Sequence, residues 1–233
     1  MGLHVTWSQK VSTRLSDLAV CIGIVEDVHV ERSNAKILEI RRKLEAAVVD
    51  EHSIETLKDN PTIRAYRDFY WKLGVDPTKT RPAGEALLRR VLRGRGIPSI
   101  CTVVDAYNLA SMSTMIPISG FDKDVLTPPL QVRFANANET FTGIGMKTTR
   151  SLNDETLVLT DQERILCIYP YRDSDQTKIT PATENVVLVA YGAPGISILQ
   201  LQETMRTTVR YIEEVSERGT SNITVSSPLE KRR

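Results

Sequence analysis

Arg81, Arg89, Arg90, Arg93 and Arg95 stand within fifteen residues, opposed there only by Glu85. A guanidinium fork matches phosphate and carboxylate oxygens bidentately, so this cluster offers an anion-binding surface. The same residues also read as the solvated face of an amphipathic helix. Arg89 and Arg93 are four apart, and Glu85 precedes Arg89 by four, in the favourable order for an ion pair. Leu87, Leu88, Val91 and Leu92 supply the opposite stripe. A second group is Asp105-Ala106-Tyr107-Asn108, which follows the β-branched run Ile100–Val104. Polar side chains at a strand exit line ligand pockets, and they also cap the helix that follows. A third is the polar run from Tyr169 to Thr180. There Arg172, Ser174 and Lys178, with Asp173 and Thr177, suit a clamp for an amino acid, carboxylate or phosphate. An ordinary loop is the other reading, with Asp173 and Ser174 making side-chain-to-backbone turns. If the clamp holds, Asp105, Asn108 and Arg172 converge on one pocket.

Other chemistries find no support in the residues. The three histidines, His4, His29 and His52, all precede Ser53, so no Ser-His-Asp arrangement is visible. Cys21, Cys101 and Cys167 are odd in number, far apart and set in apolar runs, which reads as buried reduced thiols. No metal site and no cofactor is expected: no metal-ligand spacing occurs, and Gly143-Ile144-Gly145 lacks the third glycine of a dinucleotide loop.

The elements that must hold these groups follow from periodicity. Asp17–Glu31 predicts a long half-buried strand with a bulge near Gly23. Asn34 caps a helix from Ala35 to about Val49, and Ser53 opens another. Pro61, with Asn60 as its cap, restarts that helix, which ends at Gly74. The arginine helix runs from Ala83 to Arg93, and Ile100–Val104 is expected to be extended. Short strands follow at Leu130–Phe134, Glu139–Thr142, Leu157–Leu159, Ile165–Ile168 and Val186–Tyr191, then a last helix over 197–218. This order is α+β. It divides into an N-terminal extension (1–14), one domain (15–218) and a polar C-terminal tail (219–233).

The chain has 233 residues, 41% of them hydrophobic, and a formal net charge of +1. At that length folding buries roughly 70% of the unfolded surface without staples. The charge balance excludes a broadly cationic coat, so any nucleic-acid contact must be a local patch. The longest strongly apolar stretch, Leu18–Val25, is far short of a bilayer span. A cytoplasmic protein with no membrane and no DNA partner is expected.

Several motifs occur in an order that carries a resemblance. They are Gly74-Val75-Asp76-Pro77, Arg81-Pro82-Ala83-Gly84-Glu85, Val104-Asp105-Ala106-Tyr107-Asn108-Leu109 and Pro117-Ile118-Ser119-Gly120-Phe121-Asp122. With Arg172 and Thr177-Lys178-Ile179-Thr180, they resemble stand-alone B3/B4 domain proteins. These are similar to the editing and tRNA-binding domain of the phenylalanyl-tRNA synthetase β subunit. The resemblance spans about residues 15–215. It implies an unusual β-sandwich with flanking helices. It also implies a pocket for an aminoacyl ester, because the synthetase domain hydrolyses tyrosine wrongly attached to the phenylalanine tRNA. Carried over, Asp105, Tyr107, Asn108 and Ser119 line that pocket, with Arg172, Ser174 and Lys178. Arg81, Arg89, Arg90, Arg93 and Arg95 would meet RNA. The implied partner is tRNA or its aminoacyl end, with hydrolysis in trans. Aminoacylation is not expected, since only the editing module is resembled. Two positions depart from the bacterial pattern. Ser119 stands where the Pro-x-His-x-Phe-Asp motif has histidine, and Val189 stands where a pocket glutamate follows the Asn-Val-Leu-Leu run. These departures leave open a non-catalytic binder of a free amino acid, with Arg172 on its carboxylate and Asp105 on its ammonium, or an adaptor with a vestigial pocket. No catalytic residue is assigned.

Overall fold

The computed structural model describes residues 3–216 and 220–228. The N-terminal half runs β1 (Val5–Trp7), α1 (Gln9–Arg14), β2 (Val20–Glu26), α2 (Ala35–Glu51), α3 (Pro61–Lys72), α4 (Ala83–Leu92) and α5 (Thr102–Thr114). Strands then dominate: β3 (Ile118–Asp122), β4 (Leu130–Phe134), β5 (Thr140–Phe141), β6 (Arg150–Ser151) and β7 (Leu157–Thr160). The chain closes with β8 (Ile165–Ile168), β9 (Arg172–Asp173), β10 (Val186–Tyr191), α6 (Ile198–Ser216) and β11 (Thr220–Ser226). The architecture is α+β. None of the helices described is long and apolar enough to cross a membrane.

Local signals set most helix ends. The Asn34 side chain accepts the Ile37 N–H at 3.0 Å, and Asn60 accepts the N–H groups of Thr62 and Ile63, with Pro61 in the first turn. Beyond α3, Gly74 takes φ +72°, the left-handed conformation that stops a helix. Ser53, by contrast, opens no α-helix; a single 3-10 turn at Leu57–Asp59 fills that segment.

Strands pair into two principal sheets. One has the order β1-β4-β7-β8-β9, antiparallel except for the parallel β1–β4 pair; the other is the antiparallel β11-β2-β10-β3. Every residue of β10 is buried, so both its faces are covered. Leu188 is opposite Gly23 in register, and Gly23 lies against Met205 of α6. The alternate residues Val187, Val189 and Tyr191 must then face the other sheet, because successive side chains point to opposite faces. Tyr191 accordingly meets Tyr169 edge-on, ring centroids 4.7 Å apart, and its hydroxyl lies 3.0 Å from the Cys167 sulfur. The sheets thus face each other, with α6 outside and α5 packed on α6, α4 and α2.

Four sequence expectations are corrected. The first strand is shorter than Asp17–Glu31, because Asp27 turns to φ +59° at its end. Gly23 is no bulge: its pairing is regular on both sides, and a Cβ there would stand 2.5 Å from Met205 Sδ. Helix α6 needs that space. Thr102–Val104 is helical rather than extended, since α5 is buried almost all round and tertiary packing overrides β-propensity. Both ends, finally, join the sheets. β1 pairs with β4, and β11 pairs with β2 over its whole length, so 220–226 form a strand within what was expected to be a polar tail, whose residues 229–233 lie outside those described. The Trp7 indole N–H donates to Ser226 Oγ at 2.9 Å and ties the two ends together.

Candidate functional site

Strand β3 is the edge of one sheet and β9 the edge of the other. Between them, roofed by α5, opens a cleft of about 290 Å³. Ser119 pairs in register with Val189, so both share the face of β10 that looks at the opposite sheet. From that face the Ser119 hydroxyl donates to Asp173 Oδ1 at 2.5 Å, across 54 residues of sequence. The Tyr191 hydroxyl also engages Ser119, so a polar chain runs Cys167–Tyr191–Ser119–Asp173 from the core to the cleft floor. Burial pushes the Asp173 carboxyl up to about 6, against the opposing pull of the Ser119 hydrogen bond and the Arg172 guanidinium. The walls are apolar, from Val104, Ile118, Ile144 and Ile179, while Asn108 and Lys178 bring polar groups.

Helical spacing explains which α5 residues reach the cleft. Val104, Tyr107 and Asn108 stand at i, i+3 and i+4 and share one face. Tyr107 lies so close to Gly120 that a Cβ there would be 2.7 Å from its Cε1. Burial keeps the Tyr107 hydroxyl protonated, with its pKa well above the ordinary value and the Asp173 charge adding to the shift.

Of the residues expected in the pocket, Tyr107, Asn108, Ser119 and Lys178 share this cleft, with Lys178 paired to Asp175 at 2.8 Å. Three do not line it. Asp105 is turned about 100° from Val104 and is fully buried. Its carboxylate accepts the Ile100 N–H at 2.8 Å, the Ser99 hydroxyl at 3.1 Å and the Arg41 guanidinium at 2.6 Å. Burial raises its pKa and these partners oppose the rise. It is a structural anchor for the start of α5. Arg172 is exposed: its stem covers Gly143 and its head lies 3.4 Å from the Ile144 carbonyl. Ser174 accepts the Gln176 N–H and caps a 3-10 turn. Convergence of Asp105, Asn108 and Arg172 on one pocket is therefore corrected to Asn108, Ser119 and Asp173. Strand alternation is the signal that would have singled out Asp173, since it must face opposite to Arg172 and Ser174.

The three cysteines are buried free thiols, and burial pushes Cys21 up to about 12 and raises Cys101 and Cys167 as well. None is poised as a nucleophile.

The arginine cluster divides. Glu85 is fully buried and bridges two arginines, Arg89 Nε at 2.7 Å and Arg67 Nε at 3.0 Å. Arg89 is thereby committed to the fold, as the helical ion pair in the sequence suggested. Arg90 Nε donates to the Gly96 carbonyl at 2.6 Å. The side chains of Arg81, Arg93 and Arg95 are exposed and make no ion pair or hydrogen bond among the described residues. Together with Lys79 these residues rim a concave basin of about 380 Å³.

A B3/4 domain family model matches residues 65–229. The chain is 32% identical over 108 residues to the phenylalanine–tRNA ligase β subunit of Haemophilus ducreyi, covering 46% of this chain and 14% of that one. A longer match, 28% identical over 179 residues, joins it to the β subunit of Pectobacterium atrosepticum, over 77% of this chain and 22% of that one. The chain thus spans under a quarter of these relatives' length. An N-terminal fragment of the phenylalanyl-tRNA synthetase β subunit from Pyrococcus horikoshii has a similar fold, with TM-score 0.51 and 16% identity, over 95% of this chain and 50% of that one.

Proposed function

The chain belongs to the B3/4 domain family, and from that premise we propose that its cleft receives the aminoacyl group of an aminoacyl-tRNA and hydrolyses the ester. The observation that carries this reading is the Ser119–Asp173 pair at the cleft floor. A general base works best with a pKa near the working pH, and Asp173 at about 6 meets that condition. Asp173 takes a proton from water as its oxygen bonds to the ester carbonyl carbon. The carbon–oxygen bond to ribose then breaks, and the ribose oxygen takes up the proton that Asp173 holds. Ser119 positions the carboxylate, and the Asn108 amide supplies a donor for the oxyanion. The apolar walls receive the amino-acid side chain. The polar groups that the bacterial pattern places at positions 119 and 189 are here replaced by a pair drawn from both sheets, Ser119 and Asp173, while Val189 packs in the core.

A second reading is favoured by one observation. Asp173 and Lys178 put opposite charges in one cleft, which suits the ammonium and carboxylate of a free amino acid. Deacylation of a panel of mischarged tRNAs, with amino-acid binding measured alongside, separates the two. Hydrolysis above the buffer rate, lost by about 10²–10⁴-fold in Asp173→Asn, supports the esterase. Tight amino-acid binding without hydrolysis leaves the binder.

A further inference from the structure

The outer edges of the two principal sheets are not alike. Strand β1 offers three residues, β9 offers two, Arg172 and Asp173, and β3 abuts the cleft. Short strands and charged side chains are what keep a sheet edge from pairing with another chain. Strand β11 has neither protection. Its seven residues, Thr220–Ser226, hold no charged side chain and no proline, in a sequence that is 25% charged. It pairs with β2 in unbroken register, so no bulge turns it away. Among the described residues no strand covers its outer side, and Thr220, Ser221, Asn222 and Thr224 are exposed. Every second residue of such an edge directs its backbone N–H and C=O outward.

The sequence of β11 is also self-complementary. An antiparallel two-fold centred on Ile223 sets Thr220 against Ser226 of a second copy, Ser221 against Val225, and Asn222 against Thr224. Ile223 then meets its own copy, and no other centre pairs all seven residues. Cross-strand neighbours share a face. Ile223 is opposite Gly23, which lies against Met205, so Ser221, Ile223 and Val225 are on the α6 side. Joining Ile223 to Ile223 continues the apolar layer beneath α6. Thr220, Asn222, Thr224 and Ser226 look toward the other sheet, where the Trp7 indole holds Ser226. Beside them opens a hollow of about 210 Å³, lined by Leu3, Val5, Ile22 and Thr224 among others. The two-fold lays the second copy's Thr220 and Asn222 next to Ser226 and Thr224 on this face. Each copy thus covers the other's hollow, with hydroxyl and amide groups in reach of one another.

We infer that β11 is a dimerisation strand: two copies of this chain join antiparallel along Thr220–Ser226, about Ile223, into one continuous eight-stranded sheet. Such a contact is closed, because the same patch serves both copies. Its ladder runs about 23 Å at ~3.3 Å per residue. The sheet order β11-β2-β10-β3 puts the clefts at opposite ends of the joined sheet, the two β3 strands about 34 Å apart at ~4.8 Å per strand. Both clefts stay open, so association doubles the sites without obstructing either.

Sedimentation equilibrium of the full chain at micromolar concentration tests this, and the mass expected is twice the 26.1 kDa of one chain. Asn222→Lys/Thr224→Lys sets lysine against lysine at two symmetry-related places, and like charges directly opposite destabilise a strand pair. Its dimer dissociation constant should rise by about tenfold or more. Asn222→Lys/Thr224→Glu sets lysine against glutamate in both places and should associate at least as tightly as the parent. Both positions are exposed, so the circular dichroism of each variant should match the parent's. A parent of single-chain mass overturns the inference and leaves the edge to a strand of another protein. A Lys/Lys variant that associates like the parent puts the contact elsewhere and overturns it as well. A Lys/Glu variant as weak as Lys/Lys rules out the pairing about Ile223, and the inference falls with it.

Discussion

Asp173 is held where its charge is costly. Its pKa near 6 lies above the ordinary carboxylate value of 3.8, so between those pH values the folded state binds more protons than the unfolded. Stability must then fall as pH rises from about 4 to about 6, and the cost persists at neutral pH. Two units correspond to roughly 3 kcal/mol, and partial exposure to the cleft reduces this to about 1–3 kcal/mol. Asp173→Asn should therefore be more stable than the parent at pH 7 and indistinguishable from it near pH 3. Urea midpoints at the two pH values check this, and a variant weaker at pH 7 would refute it. Hydrolysis should rise with the carboxylate form through about pH 6 and then level, and the pH profile of the rate reads that directly. Burial raises the Asp105 carboxyl as well, but Asp105 differs from Asp173 in what depends on it. Asp105→Ala strands Arg41 and the Ile100 amide and should cost about 3 kcal/mol, with no loss of cleft binding beyond what unfolding explains.

The elements meet most tightly where α4 begins. A Cβ on Gly84 would stand 2.6 Å from the Met115 carbonyl carbon and 2.7 Å from its Cα, both backbone atoms at the end of α5. Backbone cannot swing aside like a side chain, so Gly84→Ala must separate α4 from α5 at a cost of about 1–3 kcal/mol. Gly23→Ala meets the flexible end of Met205 instead and should cost less. A pair of denaturation curves with the order reversed would contradict this account of the packing. The same junction carries Ala83 into the cleft, so Gly84→Ala should also weaken ligand binding there.

At the scale of the whole molecule, the two ends brace the sheets. Ile223 and Val225 of β11 are half-buried against the core, and the strand gives β2 its outer partner. Truncation after Ser216 exposes β2 as an unpaired edge and removes the Trp7–Ser226 tie. A loss of about 2–3 kcal/mol, or roughly 5–10 °C in Tm, is expected by thermal scanning. An unchanged Tm would show that β11 adds nothing to the fold.

Periodicity and punctuation alone determined much of this protein. Asn34, Asn60, Pro61 and Gly74 mark helix ends through local hydrogen bonds and φ preferences that need no distant partner. Runs such as Leu130–Phe134 and Val186–Tyr191 declare strands by their own composition. The ordered motifs from Gly74 to Asp122 carried the family. Tertiary structure decided what depends on remote segments. Ile100–Val104 has β-branched composition, yet Thr102–Val104 are buried as the start of α5, the helix that packs on α2, α4 and α6. Asp105 and Asn108 are three residues apart, and only packing shows that one anchors Arg41 while the other faces the cleft. In the sequence Asp173 suits a polar clamp and a turn equally, and only the pairing of β9 decides, because its role depends on Ser119 in the other sheet, 54 residues away. A side chain's chemistry is local; the face it presents is set by whatever the rest of the chain packs beside it.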